Sequence, residues 1–192
     1  MQVARFSVLS VLFSLAFAGS SVQSADTYQI DPGHSSFIFR IKHMNTSFLY
    51  GRINTSSGTL VVDDADASKS SIELELKADS VDTVNEKRDQ HLKGPDFFNS
   101  KQFPTITFKS KSVKKSGDAD LEVTGDFTLL GVTKELTTKM TRTGGGKTPF
   151  GDFRVGYEGA FAFKRSDFGM KTMLDNIGDD VTITVAVEAA HK

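Results

Sequence analysis

The segment FRVGYEGAFAFK, Phe153–Lys164, carries large apolar side chains at every second position, with Gly159 in the middle of the series. In an extended chain, successive side chains point to opposite faces, so this segment has one apolar face and one face of small, polar or charged residues. Alternation with a period of two is typical of a β-strand that covers a core on one side only. The segment therefore predicts a fold built from half-buried strands.

The same alternation recurs along the rest of the chain. Candidate strands lie at residues 34–44, 48–62, 72–78, 104–116, 121–129, 132–143, 153–164 and 180–190. Most of them are separated by short stretches rich in Gly, Asp, Ser or Lys, such as DDADASKS at residues 63–70 and TGGGKTPFGD at residues 143–152, which favour turns. Eight strands joined in sequence by such turns predict an all-β, antiparallel meander.

The interior decides whether such a meander closes into a barrel or stacks as a sandwich. At ~3.4 Å per residue the strands are long, and an eight-stranded up-and-down barrel encloses either packed side chains or one small ligand. The chain contains 16 Phe and no Trp, so an enclosed space would be apolar and suited to an aliphatic guest. Gly125 and Gly159 interrupt the apolar faces of their strands, either to leave a gap or to allow a bend or bulge.

The N-terminus, MQVARFSVLSVLFSLAFAGSSVQSAD, has the organisation of a secretory signal. Arg5 precedes an apolar run over residues 6–18, and small residues follow up to Ser24. The run is shorter than the ~20 residues that span a bilayer, and no later segment is long and apolar enough to do so. We therefore expect cleavage after Ser24, a single domain over residues 25–192 and a periplasmic or secreted location.

The composition argues against several classes of function. The formal net charge at pH 7 is −1, which offers no electrostatic case for binding nucleic acid or an anionic surface. With no cysteine, the chain has no disulfide, no thiol nucleophile and no Cys-based metal site. The sequence has no HExxH or GxSxG motif, and His34, His43, His91 and His191 form no metal-binding pair. Neither a metal site nor a catalytic residue is predicted.

The segment RDQHLKGPDFFNSKQFP, residues 88–104, departs from the alternation of its neighbours. Asn85 suits a helix N-cap, and the Gly94-Pro95 pair stops a helix. A short helical segment between Asn85 and Phe98 is therefore predicted, and it can cover one end of a barrel.

Two roles are open for the charged residues of this segment. In the first, Arg88 pairs with an acid such as Asp89 or Asp96 and forms a salt-bridged plug. In the second, Arg88 and His91 donate hydrogen bonds to an anionic or polar head group, while an aliphatic tail runs down the barrel.

Four stretches of the chain resemble the YceI-like family of lipid-binding proteins. They are YQIDPGHSSFIFRIKH from Tyr28, SVDTVNEKRDQHLKGPDFFNSKQFPTITFKS from Ser80, TGDFTLLGVTK from Thr124 and RSDFGM from Arg165. The resemblance implies an elongated eight-stranded antiparallel, lipocalin-like barrel whose apolar tunnel holds a long-chain lipid. In the family that lipid is a polyisoprenoid in some members and a fatty-acid-derived amphiphile in others, and the protein is often a dimer. The resemblance implies no catalytic residues.

The predicted function is non-catalytic carriage or sequestration of a long-chain, isoprenoid-type lipid, with no other cofactor. The alternatives are a binder of fatty-acid-derived amphiphiles, an isomerase or hydrolase acting on a lipid through His34, His43 or His91, and a structural barrel with a filled core. A homodimer is left open. Arg88 and His91 are the predicted head-group contacts. The predicted tunnel wall consists of Phe37, Phe39, Phe108, Phe127, Val155, Tyr157, Gly159 and Phe161.

Overall fold

The computed structural model describes residues 25–191, and within them one antiparallel sheet of eleven strands forms most of the structure. The predicted signal, residues 1–24, lies outside the described residues. The strands are β1 (Asp26–Ile30), β2 (Ser36–His43), β3 (Ser47–Ile53), β4 (Ser56–Val62), β5 (Ser71–Lys77), β6 (Val81–Asp82), β7 (Thr105–Lys115), β8 (Asp120–Leu129), β9 (Val132–Lys147), β10 (Phe153–Lys164) and β11 (Ile177–His191). The helices are α1 (Glu86–Lys93) and short 3-10 turns at Ala67–Lys69, Ala78–Ser80 and Arg165–Phe168.

The sheet closes on itself as an eight-stranded ring. β1 pairs with β4 on one side and with β11 on the other, so the ring runs through β1, β4, β5, β7, β8, β9, β10 and β11. β1 and β2 both pair with the same edge of β11: β2 pairs with the first part of β11 and β1 with its last residues, so together they form one long, interrupted strand. β3 pairs with β2 and β4 pairs with β1, so these two strands form a second interrupted strand beside the first. The predicted antiparallel eight-stranded barrel is confirmed, although its first strand begins at Asp26 rather than at His34.

β8 illustrates how the alternating sequence builds the barrel wall. Val123, Phe127 and Leu129 are buried inside it, whereas the hydroxyl of Thr124 on the outer face lies 2.8 Å from the hydroxyl of Thr137 on β9. Removing an aromatic side chain such as Phe127 from water contributes roughly 1.5–3 kcal/mol. The ring of Phe127 packs at centroid distances of 5.2–5.6 Å against the rings of Phe161, Phe163 and Phe168.

The connections between strands alternate between two ends of the barrel. The helix end carries α1 with the segment up to residue 104, the β2–β3 turn, the β8–β9 turn and the β10–β11 connection. The opposite end carries the β4–β5, β7–β8 and β9–β10 connections and the two chain termini of the barrel, and we call it the termini end. Among residues 25–191, no helix combines the length and the apolar character needed to cross a membrane.

The two glycines that interrupt apolar strand faces leave no gap in the wall. A Cβ at Gly125 would lie 2.7 Å from the ring of Phe108, and a Cβ at Gly159 would lie 2.5 Å from the sulfur of Met140 and also against the backbone carbonyl of Lys139. Contacts this short require the neighbour to move. The glycines therefore accommodate a large side chain from the adjacent strand, and of the two alternatives left open for them, the gap for a guest is wrong.

Candidate functional site

An apolar cavity of about 490 Å³ lies inside the barrel. All parts of the sheet except β6 contribute to its wall, together with α1 and the segment that follows it. A cavity of this volume falls within the range of small-molecule sites, and its size conflicts with a barrel whose core is completely filled. The wall includes six side chains of the predicted tunnel, namely Phe37, Phe39, Phe108, Phe127, Tyr157 and Phe161.

Val155 and Gly159 were also predicted to line the tunnel, but neither is among the wall residues of the cavity. Val155 is only 2% exposed and belongs to the packed core. Met140 lies over Gly159 and occupies the wall in its place. The alternation along a strand identifies which side chains point inward. It does not show which of them border the cavity, because packed side chains fill part of the interior and the cavity occupies the rest.

The cavity reaches the surface at the helix end. Most of its wall residues are buried or half-buried, and the exposed ones all lie on the β2–β3 hairpin, on α1 and in the β10–β11 connection. These exposed wall residues are His43, Ser47, Phe48, His91 and Met173. Within the described residues, a guest therefore has its shortest route into the cavity between these three elements.

The helix α1 is fixed at both ends and along one side. The Asn85 side-chain oxygen accepts a hydrogen bond from the backbone N–H of Arg88 at 3.0 Å, as expected of an N-cap, and the Gly94 N–H donates to the His91 carbonyl at 3.0 Å. The Asp89 carboxylate accepts from both the backbone N–H and the hydroxyl of Thr83. The short helix predicted between Asn85 and Phe98 is therefore present and is tied to the end of β6.

Arg88 is a half-buried cation at the wall of the cavity. Its Nε donates to the hydroxyl of Thr83 at 2.7 Å, and its Nη2 donates to the Thr83 carbonyl at 2.8 Å. Among residues 25–191, no carboxylate lies within 4.0 Å of its guanidinium nitrogens, because Asp89 bonds to Thr83 and Asp96 bonds to His91. The salt-bridged plug is therefore wrong as an account of Arg88, which keeps N–H donors free for a ligand.

His91 also lies at the wall, closer to solvent. Its Nε2 is 3.2 Å from the Asp96 carboxylate, and its ring lies nearly perpendicular to the ring of Phe97 at a centroid distance of 5.0 Å. The side chain is held in place by two partners, one of which uses Nε2. His91 therefore has less hydrogen-bonding capacity to offer a ligand than Arg88 has.

A second arginine at the cavity wall, Arg165, was not predicted as a site residue. Its side chain is 1% exposed and donates four hydrogen bonds, at 2.8–3.0 Å, to backbone carbonyls of the β10–β11 connection and the start of β11. Burial lowers the pKa of this guanidinium, partly opposed by the charge of Asp179. Since a guanidinium has five N–H groups, one remains without a carbonyl acceptor among the described residues. In the sequence, Arg165 stood out only as the first residue of the RSDFGM stretch, which indicated the family and did not indicate a buried arginine at the cavity wall.

One further cluster has the composition of a metal site. Ligand atoms of Asp31, His34 and Glu188 lie within 4.8 Å of one another. The guanidinium of Arg154 already bonds to both carboxylates, and His34 Nδ1 lies 2.9 Å from Asp31. These partners lower the pKa of Asp31 to about 2. An arginine thus supplies the positive charge that a metal ion would bring.

The geometry agrees with comparisons of the chain to known proteins. A family model described as a YceI-like domain matches residues 28–189. The chain belongs to the YceI-like family. It is 39% identical over 189 residues to Protein YceI of Escherichia coli, covering 97% of this chain and 98% of that protein. It is 40% identical over 183 residues to a UPF0312 protein of Pseudomonas aeruginosa, covering 94% and 95% respectively.

Solved structures of the YceI-like family and related barrels share the fold. A YceI protein of Campylobacter jejuni is 28% identical with a TM-score of 0.70, and the match covers 95% of this chain and 99% of that one. BcnA of Burkholderia cenocepacia is 24% identical with a TM-score of 0.76 over 83% and 99%. A polyisoprenoid binding domain of Saccharophagus degradans is 14% identical with a TM-score of 0.68 over 86% and 98%. The last two establish similarity of fold.

Proposed function

We propose that this protein binds one long-chain, isoprenoid-type lipid inside the barrel and carries or sequesters it without changing it chemically. The observation that carries the proposal is the apolar cavity of about 490 Å³, which opens at the helix end, where Arg88 and Arg165 lie at its wall. The fold shared with a domain described as polyisoprenoid binding supports the class of ligand. A fatty-acid-derived amphiphile would meet the same wall and is the alternative guest.

The cavity supplies affinity by removing the tail from water. Each buried methylene contributes about 0.8 kcal/mol, and association costs several kcal/mol or more. A short alcohol would therefore bind weakly, whereas a chain long enough to fill the cavity would bind tightly. Aromatic and aliphatic walls do not distinguish strongly between lipids of similar shape, so selectivity has to come from length, branching and the head group.

The head group is proposed to stay at the helix end. Arg88 is half-buried, has no carboxylate partner among the described residues and lies at the wall next to the opening. The buried guanidinium of Arg165 reaches the wall at the same end. Two cations at the end of an apolar tunnel favour a ligand with an anionic or strongly polar head, because charge-assisted hydrogen bonds are strong where water is excluded.

A chain-length series with turnover analysis tests this function. We expect the affinity for prenyl phosphates to rise about fourfold for each methylene that becomes buried, corresponding to about 0.8 kcal/mol, until the cavity is full. The bound lipid should be recovered unchanged after prolonged incubation. An affinity that does not depend on chain length would show that the tail does not bind in the cavity. Recovery of a chemically converted lipid would show that the protein is an enzyme acting on the lipid.

The proposal includes export of the protein. The secretory signal predicted for residues 1–24 would direct it across the membrane, so that it binds its lipid in the periplasm or outside the cell. Cell fractionation of the natural host tests it. We expect the chain beginning at Ala25 in the periplasmic or secreted fraction, and an uncleaved protein in the cytoplasm would contradict export.

A further inference from the structure

Exposed apolar side chains lie beside the opening of the cavity, on two of the three elements that border it. They stand on the tip and outer face of the β2–β3 hairpin and on the β10–β11 connection, and the Met44 N–H joins these two elements by donating to the Asn176 carbonyl at 2.6 Å. Tyr50 and Met44 are 59% and 56% exposed. We call the whole set the hairpin rim, and it consists of Met44, Phe48, Tyr50, Met173 and Leu174.

Two cations lie on the same outer face of the hairpin. The Arg40 guanidinium is 4.4 Å from the centroid of the Phe48 ring, and the Lys42 ammonium is 4.7 Å from it. Cross-strand pairing of Arg40 with Tyr50 and of Lys42 with Phe48 sets this arrangement. Within residues 25–191, neither cation has a carboxylate within 4.0 Å.

The net charge of −1 gave no reason to expect binding to an anionic surface, because it averages over the whole chain. The register of β2 and β3 concentrates unpaired positive charge and aromatic rings on one face next to the opening. Aromatic and aliphatic side chains interleaved with basic ones suit the interface between lipid head groups and acyl chains, where rings sit at head-group level and cations meet anionic phosphates.

We propose that the hairpin rim, with Arg40 and Lys42, docks the barrel peripherally on an anionic membrane surface with the cavity opening facing the bilayer. A soluble protein partner would bury the apolar side chains equally well but would need acids placed opposite both cations, whereas an anionic leaflet supplies negative charge everywhere. The inference goes beyond the proposed binding of a lipid in the cavity, and docking is measurable whether or not the cavity is occupied.

Vesicle co-sedimentation tests the docking. The protein beginning at Ala25, which contains every strand of the barrel, is mixed with phosphatidylcholine vesicles with and without phosphatidylglycerol. We expect binding that requires phosphatidylglycerol and weakens with salt. Arg40→Gln and Lys42→Gln should each reduce it about fivefold, equivalent to about 1 kcal/mol per cation. Tyr50→Ser with Leu174→Ser should reduce it as well, and both positions lie off the cavity wall.

Matched controls stand at the termini end of the same barrel. Lys114 and Lys115 are exposed on β7, and Phe150 is exposed in the β9–β10 connection. Lys114→Gln with Lys115→Gln, and separately Phe150→Ser, should leave vesicle binding unchanged. Equal losses in rim and control variants, binding indifferent to phosphatidylglycerol, or binding to an acidic protein but to no vesicle would each overturn the proposal.

Discussion

Arg88 is the residue whose surroundings best suit contact with a lipid head group. Its guanidinium donates to the hydroxyl and the carbonyl of Thr83 and lies at the cavity wall, and its other N–H groups have no acceptor among residues 25–191. We expect Arg88→Ala to weaken binding of a prenyl phosphate by ~1.5–3 kcal/mol, the range for a lost charge-assisted hydrogen bond, and to affect a neutral prenyl alcohol less. Titration of both lipids measures the difference. Lys87→Ala, on the exposed side of α1, is the matched control.

The same variant separates a binding role from a purely structural one. If Arg88 served only to hold α1 against Thr83, both lipids would lose the same affinity and the melting temperature would fall with them. That pattern would contradict head-group recognition by Arg88 and leave Arg165 as the cation to test next.

At the scale of the elements, β11 tests where the tail lies. Val185 is at the cavity wall opposite Gly159, whereas the adjacent Thr184 points to solvent on the outer face. We expect Val185→Phe to fold and to hold less long-chain lipid, because the ring takes volume from the cavity, and Thr184→Phe to keep its full complement. Gly159→Leu is unsuitable here, since its side chain would press on the Lys139 carbonyl.

Lipid content per folded barrel, measured by mass spectrometry alongside circular dichroism, decides between these outcomes. A Val185→Phe protein that folds and still carries as much lipid as the Thr184→Phe protein would show that the tail does not pass this part of β11.

The break between β1 and β2 is tied to β10 and β11 through Asp31, Arg154 and Glu188. The pKa of Asp31 falls from 3.8 to about 2 in the folded barrel through His34 and Arg154. A depressed carboxyl pKa stabilises the folded state above the unfolded value, and that contribution is lost as pH falls through the folded value. We expect the free energy of unfolding of wild type to exceed that of Asp31→Asn above pH 4, and the difference to shrink towards pH 2.

Urea unfolding of both proteins across this pH range provides the measurement. Asp118→Asn, at an exposed carboxyl of the β7–β8 turn outside the Arg154 network, is the control and should show no such trend. A difference between wild type and Asp31→Asn that stays constant from pH 5 to 2 would contradict the ion-paired role of Asp31.

For the whole molecule, closure into a barrel was implied by the resemblance to the YceI-like family, whereas period-two alternation by itself predicted the antiparallel meander with one face of each strand on the interior. It missed β1, which is five residues long and followed by the turn-forming residues 31–35. It also assigned Gly144, Gly145 and Gly146 to a turn, whereas β9 continues through them to Lys147. Pairing with β10 holds these glycines in the strand, and such tertiary constraints are invisible in local composition.

The site was predictable only in part for a related reason. Inward parity identified Phe37, Phe39 and Phe108 as wall residues, and the capping signals identified the helix that presents Arg88. Parity could not show that Met140 covers Gly159, nor that the guanidinium of Arg165 is buried against carbonyls of its own β10–β11 connection and the start of β11. The first depends on which strands are neighbours and in what register, and the second on the path of an irregular connection.

Organic extraction of the protein purified from its native compartment, followed by mass spectrometry, tests the central claim most directly. The account predicts one long-chain, isoprenoid-type lipid per barrel in the wild-type protein and markedly less in Val185→Phe at equal fold content. A wild-type protein recovered without lipid, or with only short polar molecules in its place, would contradict the claim that the cavity exists to enclose a lipid.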